Sequence, residues 1–309
     1  MQKTREQILE RLASEPATGP DLANDLGISR AAVWKHVEAL RDGGFVISSD
    51  DDGYVLESVP EFGADAVEFG LDVPFEIEYH ERIESTNARA RELAGAGDEN
   101  VVVLSDTQTG GRGRLDRDWV SPSGGIWLSV LIRPTVPTFD APVFTLAAAV
   151  ATVQALEETG VDAGIKWPND VLVGNRKVAG ILTEMEGEAD RVSWLVVGIG
   201  INANVDIGKL PTDRGVTSLE AETGPVDRRA ITQRLLSAFY QLQQRPDDIL
   251  TAWRTHAVTL GQRVRVTTPD GEVVGNAVDI EYPGALLVET ETGRERVTVG
   301  DCEHLRPAA

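Results

Sequence analysis

The chain contains one cysteine, Cys302, and only four histidines among its 309 residues. A single cysteine excludes an internal disulfide framework, and the sequence gives no support for a site in which cysteine and histidine bind zinc. The N-terminal decapeptide MQKTREQILE is charged throughout and lacks the apolar core of a secretion signal. These absences together predict a protein of the cytoplasm, where thiols stay reduced.

Long apolar runs and lysine are also scarce. No uninterrupted run of about 18 apolar residues occurs, so we expect no transmembrane helix and no membrane partner. Acidic residues number 50 against 29 basic ones, which gives a net charge of −21, and only five of the basic residues are lysines. An acidic protein that repels nucleic acid is one interpretation. The spread of the acidic residues along the chain favours another, a halophilic protein in a very salty cytoplasm.

Residues 1–58 have the pattern of a winged helix-turn-helix domain. The spacing of apolar residues predicts two helices, the second of which ends at Gly27. Ser29 is a good N-cap for a third helix, because its hydroxyl can accept from a free backbone N–H. Two short strands, at 45–48 and 54–57, flank a polar turn and complete the predicted wing.

The remainder divides into a linker and two further domains. Proline and glycine residues at 59–75 predict a linker that carries a short helix at most. Residues 76–256 mix strands and helices without a regular βαβ alternation, and predict an α+β domain with an antiparallel or mixed sheet. Short alternating segments separated by turns at 257–309 predict an SH3-like β-barrel.

A glycine- and arginine-rich segment, GGRGR at 110–114, precedes Arg117 and Trp119. Glycines let the backbone approach a ligand and donate N–H groups to phosphate, and arginines can bind carboxylate or phosphate through two parallel hydrogen bonds. So much glycine also predicts a loop that is mobile without ligand. Taken alone, the segment is equally compatible with a surface turn whose charges are solvated.

Two lysine-containing segments follow, KWPND at 166–170 and KVAGIL at 177–182. Asn169 can position phosphate or ribose groups, and Asp170 can hold a magnesium ion that arrives with ATP. The compact ammonium of Lys177 suits a reacting phosphoryl group, and two of the five lysines lie in these segments. The alternative interpretation is a structural turn with an exposed lysine.

A third polar segment, ESTN at 84–87, lies where a strand meets a helix. Its hydroxyls and amide are suitable hydrogen-bond partners for a small polar ring, as is Gln108 after the next strand. Taken alone, the segment is better explained as a helix N-cap.

In their order and spacing, the motifs Ser-Thr-Asn, Gln-x-x-Gly-Arg-Gly-Arg, Lys-Trp-Pro-Asn-Asp and Lys-x-x-Gly-Ile-Leu resemble the biotin–protein ligases. The resemblance covers nearly the whole chain, including the DNA-binding domain of bifunctional ligase/repressor members and their C-terminal β-domain. It implies a central domain similar to class II synthetases, in which biotin and Mg-ATP form biotinyl-5'-AMP. Biotin then moves to a lysine of a biotin carboxyl carrier protein. A lipoate–protein ligase, or a biotin sensor without catalysis, fits these motifs less well.

The resemblance also implies roles for individual residues. The implied biotin-binding residues are Ser85, Thr86, Asn87, Gln108, Gly111, Arg112, Gly113, Arg114, Lys177 and Gly180. The implied ATP-binding residues are Arg114, Arg117, Trp119, Asn169, Asp170 and Lys177. Lys177, Arg112 and Arg114 would be catalytic, since both reaction steps need positioning and charge stabilisation more than an acid or base. Asp170 would contact magnesium through Mg-ATP. Members of the family often form homodimers, and we expect one here.

The third predicted helix of the N-terminal domain would enter the major groove of operator DNA with Arg30, Lys35 and His36 near the bases. Residues 1–57 contain eleven acidic and six basic residues, a net charge of −5. The predicted wing tip, Asp50–Asp52, would repel phosphate. Two alternatives therefore stay open: a ligase that also represses biotin genes, and a ligase whose DNA-binding domain is vestigial.

Overall fold

The computed structural model of the chain describes residues 1–50, 53–188, 190–211 and 215–305. The chain divides into two compact units, Met1–Asp72 and Val73–Ala309. Two of the three predicted wing-tip aspartates, Asp51 and Asp52, lie outside the described residues. The domain boundaries at 58, 75 and 256 stay predictions.

The first unit contains the helices and the hairpin that the sequence predicts. Its elements are α1 Lys3–Ser14, α2 Gly19–Leu26, α3 Arg30–Asp42, β1 Val46–Asp50, β2 Gly53–Ser58 and α4 Ala64–Glu68. A capping box between Thr18 and Asp21 starts α2, and Gly27 ends it in the left-handed conformation with φ 64°. Ser29 caps α3 by accepting from the backbone N–H of Ala32, as predicted.

The core of the first unit comes from one face of each helix together with the hairpin. Its fully buried members include Ile8, Leu22, Val33 and Leu40. Because α3 buries its residues at helical spacing, its opposite face stays in solvent.

A seven-stranded sheet forms the centre of the second unit, with helices packed against it. Its elements are β3 Glu76–Ile83, α5 Thr86–Ala96, β4 Val101–Gln108, β5 Ile126–Ile132, α6 Pro142–Glu157, β6 Ala163–Lys166, β7 Asp170–Val173, β8 Arg176–Glu188, β9 Arg191–Ile201, α7 Leu219–Thr223, α8 Arg228–Gln244 and α9 Pro246–His256. The strand order is β3-β4-β5-β9-β8-β7-β6. Only β3 and β4 pair in parallel, through the crossover helix α5, and the other neighbours pair antiparallel. The predicted mixed sheet is confirmed.

Helix α6 has buried apolar residues around its whole circumference, among them Val143, Ala147, Val150 and Leu156. By length and hydropathy alone, the segment Thr138–Glu157 would suffice to cross a membrane, but 72% of its most apolar window is buried inside this unit. It packs against α8, α9 and the sheet. A helix enclosed in this way needs no polar face.

The C-terminal strands form a second sheet in the same unit. They are β10 Arg263–Thr268, β11 Gly271–Glu281, β12 Ala285–Thr290, β13 Gly293–Val297 and β14 Asp301–His304, in the order β13-β12-β11-β10-β14. All described pairs are antiparallel. The predicted SH3-like barrel is not confirmed, because within residues 257–305 the outer strands β13 and β14 do not pair and the sheet stays open. Alternation and turns predict strands and their neighbours, whereas closure depends on the curvature of the whole sheet.

Candidate functional site

A cleft of about 950 Å³ opens on the face of the central sheet where β4, β8 and β9 meet the 110–120 loop and the edge of the C-terminal sheet. Of the site residues predicted within the second unit, the following line it: Ser85, Thr86, Asn87, Gln108, Arg112, Gly113, Arg114, Arg117, Trp119, Asn169, Asp170, Lys177 and Gly180. Gly111 lies behind the lining. A Cβ there would come within 2.7 Å of Ser121 Oγ and 3.3 Å of Gln108 Nε2. The fold thus brings together residues almost 100 positions apart.

One end of the cleft presents the uncharged side chains of Ser85, Thr86, Asn87 and Gln108, with Ser129 buried behind them, and we call these five residues the neutral end. The ion pair of Glu184 with Arg91 also borders the cleft there, against Asn87. Ser85 caps α5 by accepting from the N–H of Ala88 at 3.3 Å. The backbone N–H of Thr86 donates to Gln108 Oε1 at 2.8 Å, and the Thr86 hydroxyl lies 3.0 Å from the same oxygen. The crossover from β3 into α5 therefore delivers these side chains to the end of β4.

Asn87 is almost enclosed, with 8% of its surface exposed. Its Nδ2 donates to Glu184 Oε2 at 2.7 Å, and its Oδ1 accepts from the Ser129 hydroxyl at 2.6 Å. Gly198 on β9 makes room for it, since a Cβ at that position would lie 2.1 Å from Asn87 Oδ1. Gly198 is therefore required because a side chain at this position would clash with Asn87.

The other end carries the charges, and we call it the charged end: Lys166, Asp170, Lys177, Arg112, Arg114 and Arg117. Lys177 Nζ lies 2.5 Å from Asp170 Oδ1 and 4.8 Å from the ring centroid of Trp119. Gly180 leaves space for the lysine, because a Cβ there would come within 3.0 Å of Lys177 Nζ. The Trp119 indole covers Gly200 in the same way, and its Nε1 is buried with no hydrogen-bond partner in the described residues.

The arginine-rich loop is held against the C-terminal sheet. Arg114 donates to Asn169 Oδ1 at 3.1 Å and to the carbonyl of Gly300 at 2.8 Å. Arg117 forms an ion pair with Asp301 at 2.5 Å. Burial lowers the pKa of the Arg114 guanidinium, although nearby carboxylates oppose that effect. Arg114 therefore carries a partly desolvated charge whose direct partners are both neutral.

Lys166 differs from the other cations of the charged end. Arg112, Arg117 and Lys177 each have a carboxylate within 4.0 Å. Within the part of the chain that the structure describes, Lys166 has no hydrogen-bond or ion-pair partner, although it lines the cleft. Its charge acts on β14, where it favours the thiolate of Cys302 and the neutral form of His304. Burial nevertheless raises the Cys302 pKa to about 11, so this thiol stays protonated at neutral pH.

The turn before Asn169 is anchored from behind by the C-terminal residues. Trp167 is 1% exposed, and its Nε1 donates to the carbonyl of Gly284 at 3.0 Å. Its backbone N–H donates to Thr259 Oγ1 at 2.9 Å, and that hydroxyl lies 3.0 Å from His304 Nε2. The C-terminal sheet thus fixes both segments that carry the charged end.

Comparison with known proteins agrees with this arrangement. Family models match the biotin/lipoate A/B protein ligase family at residues 79–202, the biotin protein ligase C-terminal domain at 259–305 and an HTH domain at 4–55. The bifunctional ligase/repressor BirA of Bacillus subtilis (strain 168) is 36% identical over 316 residues, and the match covers 96% of each chain. The chain belongs to the biotin–protein ligase family. The predicted family, the enzyme class and the helix-turn-helix domain are confirmed.

Two further ligases show how far the similarity reaches. The biotin–[acetyl-CoA-carboxylase] ligase of Paracoccus denitrificans is 34% identical over 235 residues, which cover 71% of this chain and 97% of its own. A structure of the biotin protein ligase from Aquifex aeolicus in complex with biotin and ATP has a TM-score of 0.62 at 28% identity. It covers 75% of this chain and 99% of the Aquifex chain.

Sequence reasoning alone does not identify several residues that belong to this cleft. Glu184 lines the cleft and accepts from Asn87, and Ser129 donates to Asn87 from behind the lining. Asp301 forms the ion pair that holds Arg117 of the arginine-rich loop. A lone serine within the apolar strand IWLSVLI was the available signal for Ser129, because a buried hydroxyl needs a hydrogen-bond partner. Asp301 gave no signal, since its partner Arg117 lies 184 positions away.

The HTH domain of the ligase has one face of α3 in solvent. Arg30 and Lys35 are exposed there, His36 is half-buried, and Trp34 is 55% exposed. The two acidic residues of the helix, Glu38 and Asp42, lie in its C-terminal half, and Glu38 is paired with Arg41 at 2.6 Å. The N-terminal half of α3 is therefore locally cationic, although the domain as a whole is acidic.

Proposed function

We propose that the chain joins biotin to ATP as biotinyl-5'-AMP and transfers the biotin to a lysine of a biotin carboxyl carrier protein. The observation that carries this proposal is the polarity of the cleft. The uncharged side chains of Ser85, Thr86, Asn87 and Gln108 lie together at one end, where Glu184, the acid that accepts from Asn87, is paired with Arg91. The cations Lys177, Arg112, Arg114 and Arg117 lie at the other end. An uncharged ring and a polyphosphate need these two environments within one site.

The neutral end would receive the ureido ring of biotin. Thr86 and Asn87 are nearly buried, at 3% and 8% exposed, and their polar atoms are held by neighbouring groups. A pocket whose donors and acceptors are already oriented selects strongly against a ligand that lacks the matching groups. This property supports biotin over lipoate, whose dithiolane ring has no N–H groups.

The charged end would receive ATP. A carboxylate oxygen of biotin attacks the α-phosphorus, the bond to the bridging oxygen breaks, and pyrophosphate leaves with the bond electrons. Lys177 would exchange Asp170 for the reacting oxygens, and Arg112 and Arg114 would stabilise the developing negative charge. Pyrophosphate would face Lys166, whose ammonium has no partner in the described residues, and Arg117. Trp119 would stack on adenine after leaving Gly200.

Magnesium would reach this site with ATP. No cluster of three or more acidic, histidine or cysteine ligands occurs in residues 1–50, 53–188, 190–211 and 215–305. The carboxylate of Asp170 and the side-chain oxygen of Asn169 offer ligand oxygens at the cleft wall. That set fits magnesium, which keeps waters and phosphates as most of its ligands. The bound ion would neutralise phosphate charge.

Transfer completes the reaction. The neutral ε-amine of the carrier lysine attacks the biotinyl carbonyl carbon, the mixed anhydride breaks, AMP leaves with the bond electrons, and the new amide nitrogen releases one proton to water. The 110–120 loop would close over the anhydride and exclude water, which protects it from hydrolysis.

Biotin-dependent exchange of labelled pyrophosphate into ATP tests the activation step. We expect exchange with biotin and none with lipoate, and a loss of about 100-fold or more for Lys177→Ala. Lys209→Ala, an exposed lysine outside the cleft lining, is the matched control and keeps wild-type exchange. Lipoate-dependent exchange would instead indicate a lipoate–protein ligase. Equal activity of Lys177→Ala and Lys209→Ala would move the catalytic role to the arginines.

We also propose that the HTH domain binds operator DNA as a biotin-responsive repressor. The locally cationic face of α3, with Arg30, Lys35 and His36, supports this role over a vestigial domain. A gel shift with the chain's own upstream DNA should show binding that depends on biotin and ATP. Arg30→Ala should weaken it, whereas Lys3→Ala, on the exposed surface of α1, should change it little. Absence of any shift would favour the vestigial alternative.

Three proposals concern the state of the protein in the cell. A cytoplasmic location is supported by the single buried thiol. Adaptation to high salt is supported by the net charge of −21, and structure retained in low-salt buffer would contradict it. A homodimer is supported by the family relation, and sedimentation of the biotin- and ATP-bound protein measures it directly.

A further inference from the structure

Ser129 on β5 is a buried polar residue to which the proposed reaction assigns no role. Its side chain is 0% exposed, in a strand whose other members are all apolar. Its Oγ lies 2.6 Å from Asn87 Oδ1 and 2.7 Å from Thr86 Oγ1. A hydroxyl placed between two residues of the neutral end can determine how both are oriented.

Asn87 has little capacity left to bind a ligand. Nδ2 donates to Glu184 Oε2 at 2.7 Å and lies 3.4 Å from the carbonyl of Leu182, and Oδ1 accepts from Ser129. The carboxylate of Glu184 accepts only, so it fixes which way the amide faces. Glu184 is itself paired with Arg91 at 2.5 Å. Both N–H donors of Asn87 are therefore engaged within the protein.

The hydroxyl hydrogens of this network are also engaged. Three oxygen pairs lie within 3.0 Å, namely Thr86 with Gln108, Ser129 with Thr86, and Ser129 with Asn87. The two hydroxyls supply only two hydrogens for these three contacts. No hydrogen remains on Thr86 or Ser129 for a ligand.

Two donors at the neutral end remain free. The Ser85 oxygen accepts from Ala88, and among the described residues its own hydrogen has no acceptor. Gln108 Nε2 gives one hydrogen to Ser121 Oγ at 3.0 Å, and its second hydrogen has no acceptor in the same residues. Both side chains line the cleft.

We infer that Ser129 and Asn87 are positioning residues for the neutral end, which leaves Ser85 and Gln108, already assigned to biotin by the family resemblance, as its free side-chain donors. The inference rests on the proposed function, because the ring that the neutral end would bind is the ureido ring of biotin. Ser129 acts through Asn87 and Thr86 and touches no substrate. Removing its hydroxyl leaves the buried Asn87 carbonyl without a donor, which disturbs the pocket but not the charged end.

Ser129→Ala tests the inference in the full-length protein. We expect the Kd and KM for biotin to rise about tenfold, with the KM for ATP and kcat at saturating biotin within about twofold of wild type. Ser129→Cys, which keeps the size and a weak donor, should recover part of the affinity. Ser105→Ala is the matched control, since Ser105 is also 0% exposed and lies on the adjacent strand β4, where its hydroxyl donates to the carbonyl of Thr107 and accepts from the N–H of the same residue. It should change none of these quantities.

A double-mutant cycle measures whether Ser129 acts through Asn87. The effect of Ser129→Ala on biotin Kd should largely disappear in an Asn87→Ala background, because the partner is already absent. Additive effects would overturn the inference, as would an unchanged biotin Kd in Ser129→Ala or an equal rise in the ATP KM. A wild-type protein that fails to bind biotin, measured by calorimetry, would overturn the proposed function itself.

Discussion

The two ends of the cleft are organised in opposite ways. At the neutral end, Thr86, Asn87, Gln108 and Ser129 hold one another through hydrogen bonds of 2.6–3.0 Å. At the charged end, Lys177, Arg112 and Arg117 are paired with carboxylates of the protein itself. The first end needs little rearrangement to receive a ligand. The second must exchange partners, because phosphate and Asp170 or Asp301 compete for the same cations.

Because of this difference, the neutral end is suited to recognise the ring and the charged end is suited to stabilise the reacting groups. A preformed network of uncharged groups discriminates between rings, since a wrong ring leaves buried donors unpaired. Cations that are released only when phosphate arrives act where negative charge develops. Changes at the neutral end should therefore alter biotin affinity, and changes at the charged end should alter ATP affinity or turnover.

Among the variants that compare the two ends, Gly198→Ala at the neutral end should have the largest effect. The new Cβ would lie 2.1 Å from Asn87 Oδ1, and the buried amide cannot move without losing Ser129 or Glu184. Biotin Kd, measured by calorimetry, should rise on the order of 100-fold. A wild-type Kd in the folded variant would show that Asn87 does not shape the pocket.

Gly180→Ala makes the matching change at the charged end, and its effect should be smaller. The new Cβ would meet Lys177 Cε at 2.9 Å and Nζ at 3.0 Å, the far end of a flexible side chain that can shift by a few tenths of an ångström. We expect kcat to fall about tenfold at most, with biotin Kd unchanged. A larger loss of biotin affinity than in Gly198→Ala would reverse the comparison.

Asp301→Asn removes an internal competitor from the charged end. Arg117 and Asp301 are both about half exposed, so their pair contributes little stability. Freed from its carboxylate, Arg117 should bind phosphate more readily, and the KM for ATP should fall up to about fivefold at low salt. A rise in this KM would mean that Asp301 instead orders the loop for substrate.

The smallest effect concerns His304 behind the charged end. Burial, and secondarily the charge of Lys166, lower the His304 pKa below its ordinary value of 6.5. The unfolded chain therefore takes up a proton first as the pH falls, so this contribution to stability is complete above pH 6.5 and declines below it. In His304→Gln, the fall in Tm between pH 7.5 and 5.5 should shrink by about 1–3 °C. An unchanged fall would exclude His304 as its source.

The sequence predicted the elements that have local signals, and missed those that depend on distant partners. Ser29 and Gly27 mark the helix ends in the first unit because caps are local interactions. Helix α9, Pro246–His256, buries two residues, Ile249 and Trp253, at the i, i+4 spacing, and a pattern this short does not predict a helix from the sequence. Turns and alternation predict a closed barrel for the C-terminal strands, but the sheet they form is open. The prediction is not confirmed because these local patterns carry no information about curvature.

The cleft residues show the same division. Family motifs named Lys177, Gln108 and Asn169, but they did not distinguish residues that donate to a ligand from residues that hold others in place. That distinction requires counting hydrogens in three dimensions, as the positions of Asn87 and Ser129 illustrate. Roles within the site stay predictions until the variants above are measured.

The enclosure of α6 has a consequence for how this protein is made. Its partners α8 and α9 end at Gln244 and His256, whereas α6 itself ends at Glu157. A ribosome that adds 5–20 residues each second needs about 5–20 s to complete that stretch. For part of this interval, the apolar helix α6 is outside the ribosome while α8 and α9, which bury it, are not yet complete. Nascent chains of this protein should therefore need chaperone protection most between the synthesis of α6 and that of α9.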